Sequence, residues 1–288
     1  MVAPAPPYDE LVHLGLSPWS LHARWALAVL RHPVTFTPYA PGPPGEWILR
    51  ARLRFPSGPI SVPVLFRRPA AGGVPSQVTA AAAVDGGADA PPPPMLFPPV
   101  PPGEADEVAA WAATAQEVLS YSRAAVMSVA ASTPEGVAVM SSLLPAPMRS
   151  VLPAAVVRWI GARAANGLVT KYPPLVDRTT ARAHMDRLAA VVSTGGSSGR
   201  RAAANGCVYL VGGAFSYADI AMVIATGVVR PLDERYISDA PLRSVKALVT
   251  DSPFAEGLDA VITWRDAILA AHFADDSLAG EKKEGSSK

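Results

Sequence analysis

Apolar positions change their spacing near residue 100. Upstream of it the apolar runs are short and interrupted by Pro and Gly. Glu10-Leu-Val-His-Leu-Gly-Leu16 reads as a short strand that stops at Ser17-Pro18. From Ser20 to Arg31, Leu21, Trp25 and Val29, with Ala26 and Leu30 beside them, fall on one face of a helix. Ser17 followed by Pro18 suits the start of that helix. A Ser side chain accepts an orphan backbone N–H, and Pro loses nothing at the first helical position. Val34 to Tyr39 predicts a second strand, and Ile60-Ser-Val-Pro-Val-Leu-Phe66 a third. Pro63 removes a ladder donor from that third strand, which implies an edge, a bulge or a cis peptide bond. A strand–helix–strand opening followed by Val-Pro-Val-Leu predicts a small α/β domain.

Downstream the apolar pattern is helical almost throughout. A long Ala- and Val-rich helix is expected from Glu104 to about Ser132, with acids at its start where the helix dipole favours them. Further helices are expected at about 135–145, 150–170, 178–194, 216–230 and 253–273. Ser193 to Gly206 has the composition of a loop, and Glu281 to Lys288 that of a disordered tail. Between the two halves, Pro91 to Pro102 is too Pro-dense for helix or sheet and reads as an extended connector. The resulting domains are 8–90, a linker over 91–103, a helical domain over 104–275, and a tail over 276–288.

Composition adds boundaries. The chain has 288 residues, room for one large domain or two at roughly 150 residues each. The 31 Pro and 22 Gly, 53 together, are too few for a disordered or collagenous chain. Lys and Arg number 25 against 24 Asp and Glu, so no overall field recruits nucleic acid or an anionic membrane. Cys207 stands alone, which excludes an internal disulfide and a thiolate-rich metal site and fits a reducing compartment. The five His residues (13, 22, 32, 184, 272) form no metal-ligand spacing. There is no run of about 18 apolar residues and no signal-peptide pattern at the start, so the expected address is the cytoplasm.

Three local patterns carry chemistry. Ser17-Pro-Trp-Ser-Leu-His-Ala-Arg24 places a Ser at a strand-to-helix turn, where backbone amides and the dipole favour an anion. That Ser could donate to a bound thiolate; standing alone, Ser-Pro before a helix is just a cap. Ser61-Val-Pro-Val-Leu65 with a cis Val62–Pro63 bond would offer Val62 backbone groups to a peptide-like ligand. Standing alone, it is an edge strand containing Pro. Gly212-Gly-Ala-Phe-Ser-Tyr-Ala-Asp-Ile220 spaces Ser216 and Asp219 as a capping box, with Phe215 and Ile220 as a hydrophobic staple. Its reading is structural, with Asp219 capping a buried helix.

In this order the three patterns resemble the glutathione S-transferase family over most of residues 10 to 273. Ser17-Pro-Trp-Ser with Arg24 is similar to the catalytic Ser/Cys turn of its tau and omega-like classes, and Val62-Pro63 to their cis-Pro strand. Phe-Ser-Tyr-Ala-Asp resembles the family's folding motif, and Trp264 to His272 its final helix. The resemblance implies an N-terminal thioredoxin-like domain that binds glutathione, followed by an all-helical C-terminal domain. It implies a detoxifying conjugation of the glutathione thiolate, the co-substrate, to a small electrophile. Ser17 would be the catalytic hydrogen-bond donor, and Trp19, Ser20, Val62, Pro63, Ser76 and Gln77 the glutathione contacts. The electrophile would lie against the helical domain near Trp111, Tyr121 or Arg123, residues that equally suit helix packing or a solvated face. No metal, nucleic acid or membrane is implied, and a homodimer is.

One departure stands out. The family places an acid–Ser pair at the start of the helix after the cis-Pro strand. Here Pro75-Ser76-Gln77 occupies that place, so Ser76 would cap the helix while the acid is lost. Losing such a charge-assisted bond weakens binding by roughly 1.5–3 kcal/mol. The alternative is therefore a non-catalytic binding or scaffold protein of the same fold. A redox reading is disfavoured, since Ser17 stands where a Cys would act.

Overall fold

The structure is a computed structural model; it describes residues 9–14, 17–39, 45–53, 62–66, 77–79, 103–142, 144, 146–171, 173–195, 206–233, 236 and 254–273. The chain divides into two compact units, Met1–Pro99 and Val100–Lys288.

In the first unit the elements run β1 (Asp9–His13), α1 (Pro18–Val29), β2 (Val34–Pro38), α2 (Gly45–Leu53), β3 (Val64–Phe66) and β4 (Gln77–Thr79). The strands lie side by side as β2-β1-β3-β4. β1 and β2 are parallel, which requires the crossover that α1 supplies. β3 runs antiparallel to β1, with Leu65 opposite Leu11 and Val64 opposite Val12, and β4 runs antiparallel to β3. This mixed βαβαββ arrangement is thioredoxin-like, as expected for the first half.

Strand alternation sends neighbouring residues to opposite faces. Leu11 and Leu65 pack with Leu27 of α1 and with Ala23, Val34 and Phe36. Val12 and Val64 pack on the other side with Leu49 and Leu53 of α2 and with Tyr39, Val62 and Phe66. Each such side chain, fully buried, contributes roughly 1.5–3 kcal/mol. Glu10 ties α2 to the sheet: it pairs with Arg52 at 2.5 Å and accepts from Thr37 Oγ1 at 2.7 Å. The Arg52 hydrogen bond holds the Glu10 carboxyl below its ordinary range.

Helix α2 has no counterpart in the sequence reading. Its inward positions are only Leu49 and Leu53, while Trp47 and Ile48 are exposed and blur the apolar stripe. An i,i+4 pair, Glu46 with Arg50 at 2.6 Å, supports it locally. The expected third strand is shorter than 60–66, because pairing begins only at Val64.

The second unit is all helical: α3 (Ala105–Ser132), α4 (Pro134–Ser142), α5 (Ala146–Val151), α6 (Ala154–Lys171), α7 (Arg178–Ser193), α8 (Tyr217–Ala225) with a 3₁₀ turn over Thr226–Val228, and α9 (Asp259–His272). The α/β plus all-α class is therefore the one expected. Helix α3 packs along α8, α6, α4 and α7, and α9 packs on α7. The expected single helix over 150–170 is two helices, since Pro153 lacks the N–H needed to continue one. The helix expected from 253 starts at Asp259, after Gly257 takes φ +73°. The connector over 91–102, residues 196–205 of the expected loop, and the tail from 274 lie outside the described residues.

Helix α8 is apolar all round, and every residue from Ala218 to Ala225 is buried, which marks a central helix. Its start is held by Asp219, which has no exposed surface. One carboxylate oxygen accepts from Leu210 N at 2.9 Å; the other accepts from Ser216 N at 2.8 Å and Ser216 Oγ at 2.9 Å. Just upstream Gly212, at φ +68°, lies so close to the Glu104 carboxylate that a Cβ there would collide with it.

Asp219→Ala leaves three buried donors without an acceptor and is expected to lower unfolding free energy by on the order of 3 kcal/mol. Asp219→Asn, which keeps one acceptor oxygen, should lose less. Denaturant titration of both variants checks the order, and an Asp219→Ala protein as stable as wild type contradicts it.

Candidate functional site

The site is built where β1 ends. The backbone leaves the sheet at Leu14, and Ser17 N donates to Leu14 O at 2.9 Å, closing a tight turn. Ser17 then sits at the N-cap of α1 with extended dihedrals (φ −87°, ψ 122°), followed by Pro18. Its hydroxyl oxygen accepts from Ser20 N at 3.4 Å, a long bond that engages a lone pair and leaves the O–H proton able to donate outward. The first turn of α1 contains no acid, so the positive end of its dipole is not neutralised locally.

Ser20 has a different place from a ligand contact. It is buried, and its hydroxyl accepts from Leu14 N at 3.0 Å. The two Ser side chains thus brace the turn from both ends, Ser17 toward the helix and Ser20 back toward the strand. Trp19 lies between them, half-buried.

Register brings the second pattern to the same end of the sheet. Val12 faces Val64 in the antiparallel β1–β3 pair, so the residues before Val64 lie beside the exit of β1. The Val62–Pro63 bond is cis, with Pro63 buried and Val62 half-buried. Ser17 and Val62 therefore flank one sheet end, although 45 positions separate them in the chain.

The third set of expected contacts differs. Gln77 is the first residue of β4, paired opposite Phe66, and not the second residue of a helix opened by Ser76. The strand continues through Thr79, so a helix over 78–85 is excluded at its beginning: Val78 bonds into the ladder opposite Leu65. Pro75 and Ser76 lie outside the described residues.

Two residues of this neighbourhood carried no signal in the spacing. His13, the last residue of β1, is buried against Phe36 in an edge-on contact (centroids 6.0 Å apart), and neither ring nitrogen has a hydrogen-bond partner among the described residues. Burial first, then the charge of Arg24, pushes its pKa down to about 4. The Arg24 guanidinium lies 5.3 Å from the centre of the same Phe36 ring. His22, inside α1, is also driven down to about 4 by burial. Both imidazoles are therefore neutral at pH 7. A His within an apolar run reads as strand or helix filler, and only the pairing of β1 with β2 reveals what it packs on.

In the second unit, Trp111 and Tyr121, considered for an electrophile, pack internally, and Arg123 is half-buried. Trp111 is buried beneath the Arg187 guanidinium at 4.7 Å, and Tyr121 stacks on Phe254 at 5.5 Å. Ser216 and Asp219 form the capping box described above. Cys207 is buried, and its thiol is pushed up, chiefly by that burial. Among the described residues no group of three or more His, Cys, Asp or Glu could hold a metal ion. Nor is any described helix long and apolar enough to cross a membrane.

No protein-family model matches the sequence, and no curated protein matches it. A solved structure to which the chain is similar is a glutathione S-transferase from Methylobacillus flagellatus KT with GSH bound. It is 16% identical, the match covers 88% of this chain and 98% of that one, and the TM-score is 0.37. A likeness this loose does not set residues of the two chains against one another.

The buried imidazoles give the fold an acid sensitivity. Unfolded, His13 and His22 bind protons below about 6.5; folded, only near 4. Their contribution is complete above pH 6.5 and is lost as pH falls toward 4. Asp219, pushed up to about 6 by burial, opposes this from about pH 6 downward. At pH 5, His13→Gln is expected to unfold with roughly one fewer proton taken up than wild type. Unfolding free energies from pH 4.5 to 7 measure this, and superimposable pH profiles would contradict it.

Proposed function

We propose that this chain is a glutathione S-transferase-like enzyme in which Ser17 donates a hydrogen bond to the sulfur of glutathione. The observation that carries the reading is the position of Ser17: it caps α1, its hydroxyl proton is able to point outward, and it shares a sheet end with Val62–Pro63. A hydroxyl donor and an unneutralised helix N-terminus both favour the thiolate over the thiol, so they lower the thiol pKa. The thiolate then attacks a small electrophile. A carbon–sulfur bond forms, and the leaving group departs with its bonding pair; no bond to the protein is made.

Within this reading Trp19 lines the sulfur end, and Ser20 acts as a positioning residue that holds the turn. Val62 offers backbone N–H and C=O to the peptide portion of the ligand in the manner of an added strand, backed by Pro63. Gln77, and Ser76 beside it, belong to the γ-glutamyl end, with Gln77 held in β4. The tau/omega-like Ser-type subclass, a cytoplasmic address, a role in detoxification and pairing as a homodimer belong to the same proposal.

A second reading has its own support. The Pro75-Ser76-Gln77 stretch, which the resemblance set at the start of the ligand-holding helix with its acid missing, leads instead into strand β4 at Gln77–Thr79. A scaffold protein of this fold with a weakened glutathione site would carry this departure. Calorimetric titration separates the two readings: micromolar glutathione binding supports the enzyme, and absence of heat at millimolar ligand supports the scaffold.

The mechanism is tested by three substitutions at Ser17, with chlorodinitrobenzene-type conjugation and thermal unfolding as readouts. Ser17→Ala should lower kcat/KM by about ten- to a hundredfold, the equivalent of one charge-assisted hydrogen bond, and lose about 1 kcal/mol of stability with the cap. Ser17→Asp keeps the cap and the stability but should lose the rate, because an ionised carboxylate accepts the capping N–H yet has no hydrogen to donate to the sulfur. Ser17→Thr should retain most of both. Equal rates in wild type and Ser17→Ala would remove Ser17 from the mechanism.

A further inference from the structure

The corner formed by α5 and α6 combines two features that the rest of the second unit lacks among its described residues. Every large apolar side chain exposed in that unit falls between Met148 and Leu175: Val151 is 81% exposed, Leu175 64% and Trp159 63%, with Met148 and Val156 also exposed. The same stretch is cationic. Between Met148 and Leu175 the sequence carries Arg149, Arg158, Arg163 and Lys171 and no Asp or Glu. Overall charge balance conceals this local excess.

The placement follows from helix geometry. Val157, Gly161 and Ala165 turn inward, and Gly161 lies against Ser141 so closely that a Cβ would clash with its backbone. The opposite stripe of α6 is Val156, Trp159 and Arg163, spaced i, i+3 and i+7. The Arg163 guanidinium lies 6.0 Å over the Trp159 ring. Arg149 and Arg158 are exposed, and with Arg163 they form no ion pair among the described residues.

We infer that this face docks on an anionic bilayer surface. An indole prefers the headgroup boundary, short apolar side chains such as Val151 enter the acyl edge, and arginines with no carboxylate partner among the described residues meet lipid phosphates. The face is too charged and too short to span, so it lies in the interface plane. A second copy of the chain is a poorer occupant. In a two-fold contact the patch meets itself, which sets Arg149, Arg158 and Arg163 against their own counterparts.

Co-flotation of the full chain with vesicles tests this. Binding to phosphatidylcholine–phosphatidylserine vesicles at low salt should exceed binding to phosphatidylcholine alone by at least about tenfold. Trp159→Ser and the double variant Arg158→Glu/Arg163→Glu should each lower it by about tenfold or more, with circular dichroism unchanged. Ile48→Ser, in the other unit, should leave it unaltered. No flotation with anionic vesicles, equal flotation with neutral ones, or full binding by both variants overturns the inference. So does a dimer that Trp159→Ser dissociates while no vesicle binding is seen.

Discussion

Burial of both faces of β1 is the constraint on which the first unit depends. Because Leu11 and Val12 point to opposite sides, the strand needs a helix on each, and α1 and α2 supply Leu27 on one side and Leu49 and Leu53 on the other. A slip of one residue in pairing would exchange those two sets. The register that keeps them apart also determines where β1 ends, and hence where Ser17 begins α1 beside Val62. The site is a consequence of the packing of the sheet.

The turn itself is braced by reciprocal bonds that cross it. Ser20 holds the departing strand through Leu14 N, and Ser17 holds the arriving helix through Ser20 N. The Ser-x-x-Ser spacing thus serves rigidity first, and a rigid donor is what hydrogen-bond catalysis requires. His13 and Arg24 sit on Phe36 just behind this turn, where a neutral imidazole avoids setting a second positive charge beside that of Arg24.

The second unit applies the same economy around one carboxylate. Asp219 satisfies two backbone donors and a hydroxyl at the start of a helix that has no polar face. Burial alone would leave α8 with unmet N–H groups at its most enclosed end. The polar device and the apolar helix therefore depend on each other. At the opposite extreme, the α5–α6 corner leaves apolar and cationic groups outside, and no ion pair among the described residues takes up its arginines.

How much was legible in the sequence differs by element. The helix–strand order, the Ser17 cap, the cis-compatible Pro63 and the Ser216–Asp219 box were all readable, because each depends on residues within about four positions of one another. Helix α2 was not, since its exposed Trp47 and Ile48 break the stripe that Leu49 and Leu53 begin. The break at Pro153 is hidden for a similar reason: apolar spacing continues across it. Gln77 precedes an Ala-rich run that begins at Ala80 and suits a helix, yet pairing with Phe66 makes it the start of a strand. Local chemistry determined which residues cap and turn. Only the tertiary structure decided which of them meet, because strand register and two-sided burial are set by partners tens of residues away.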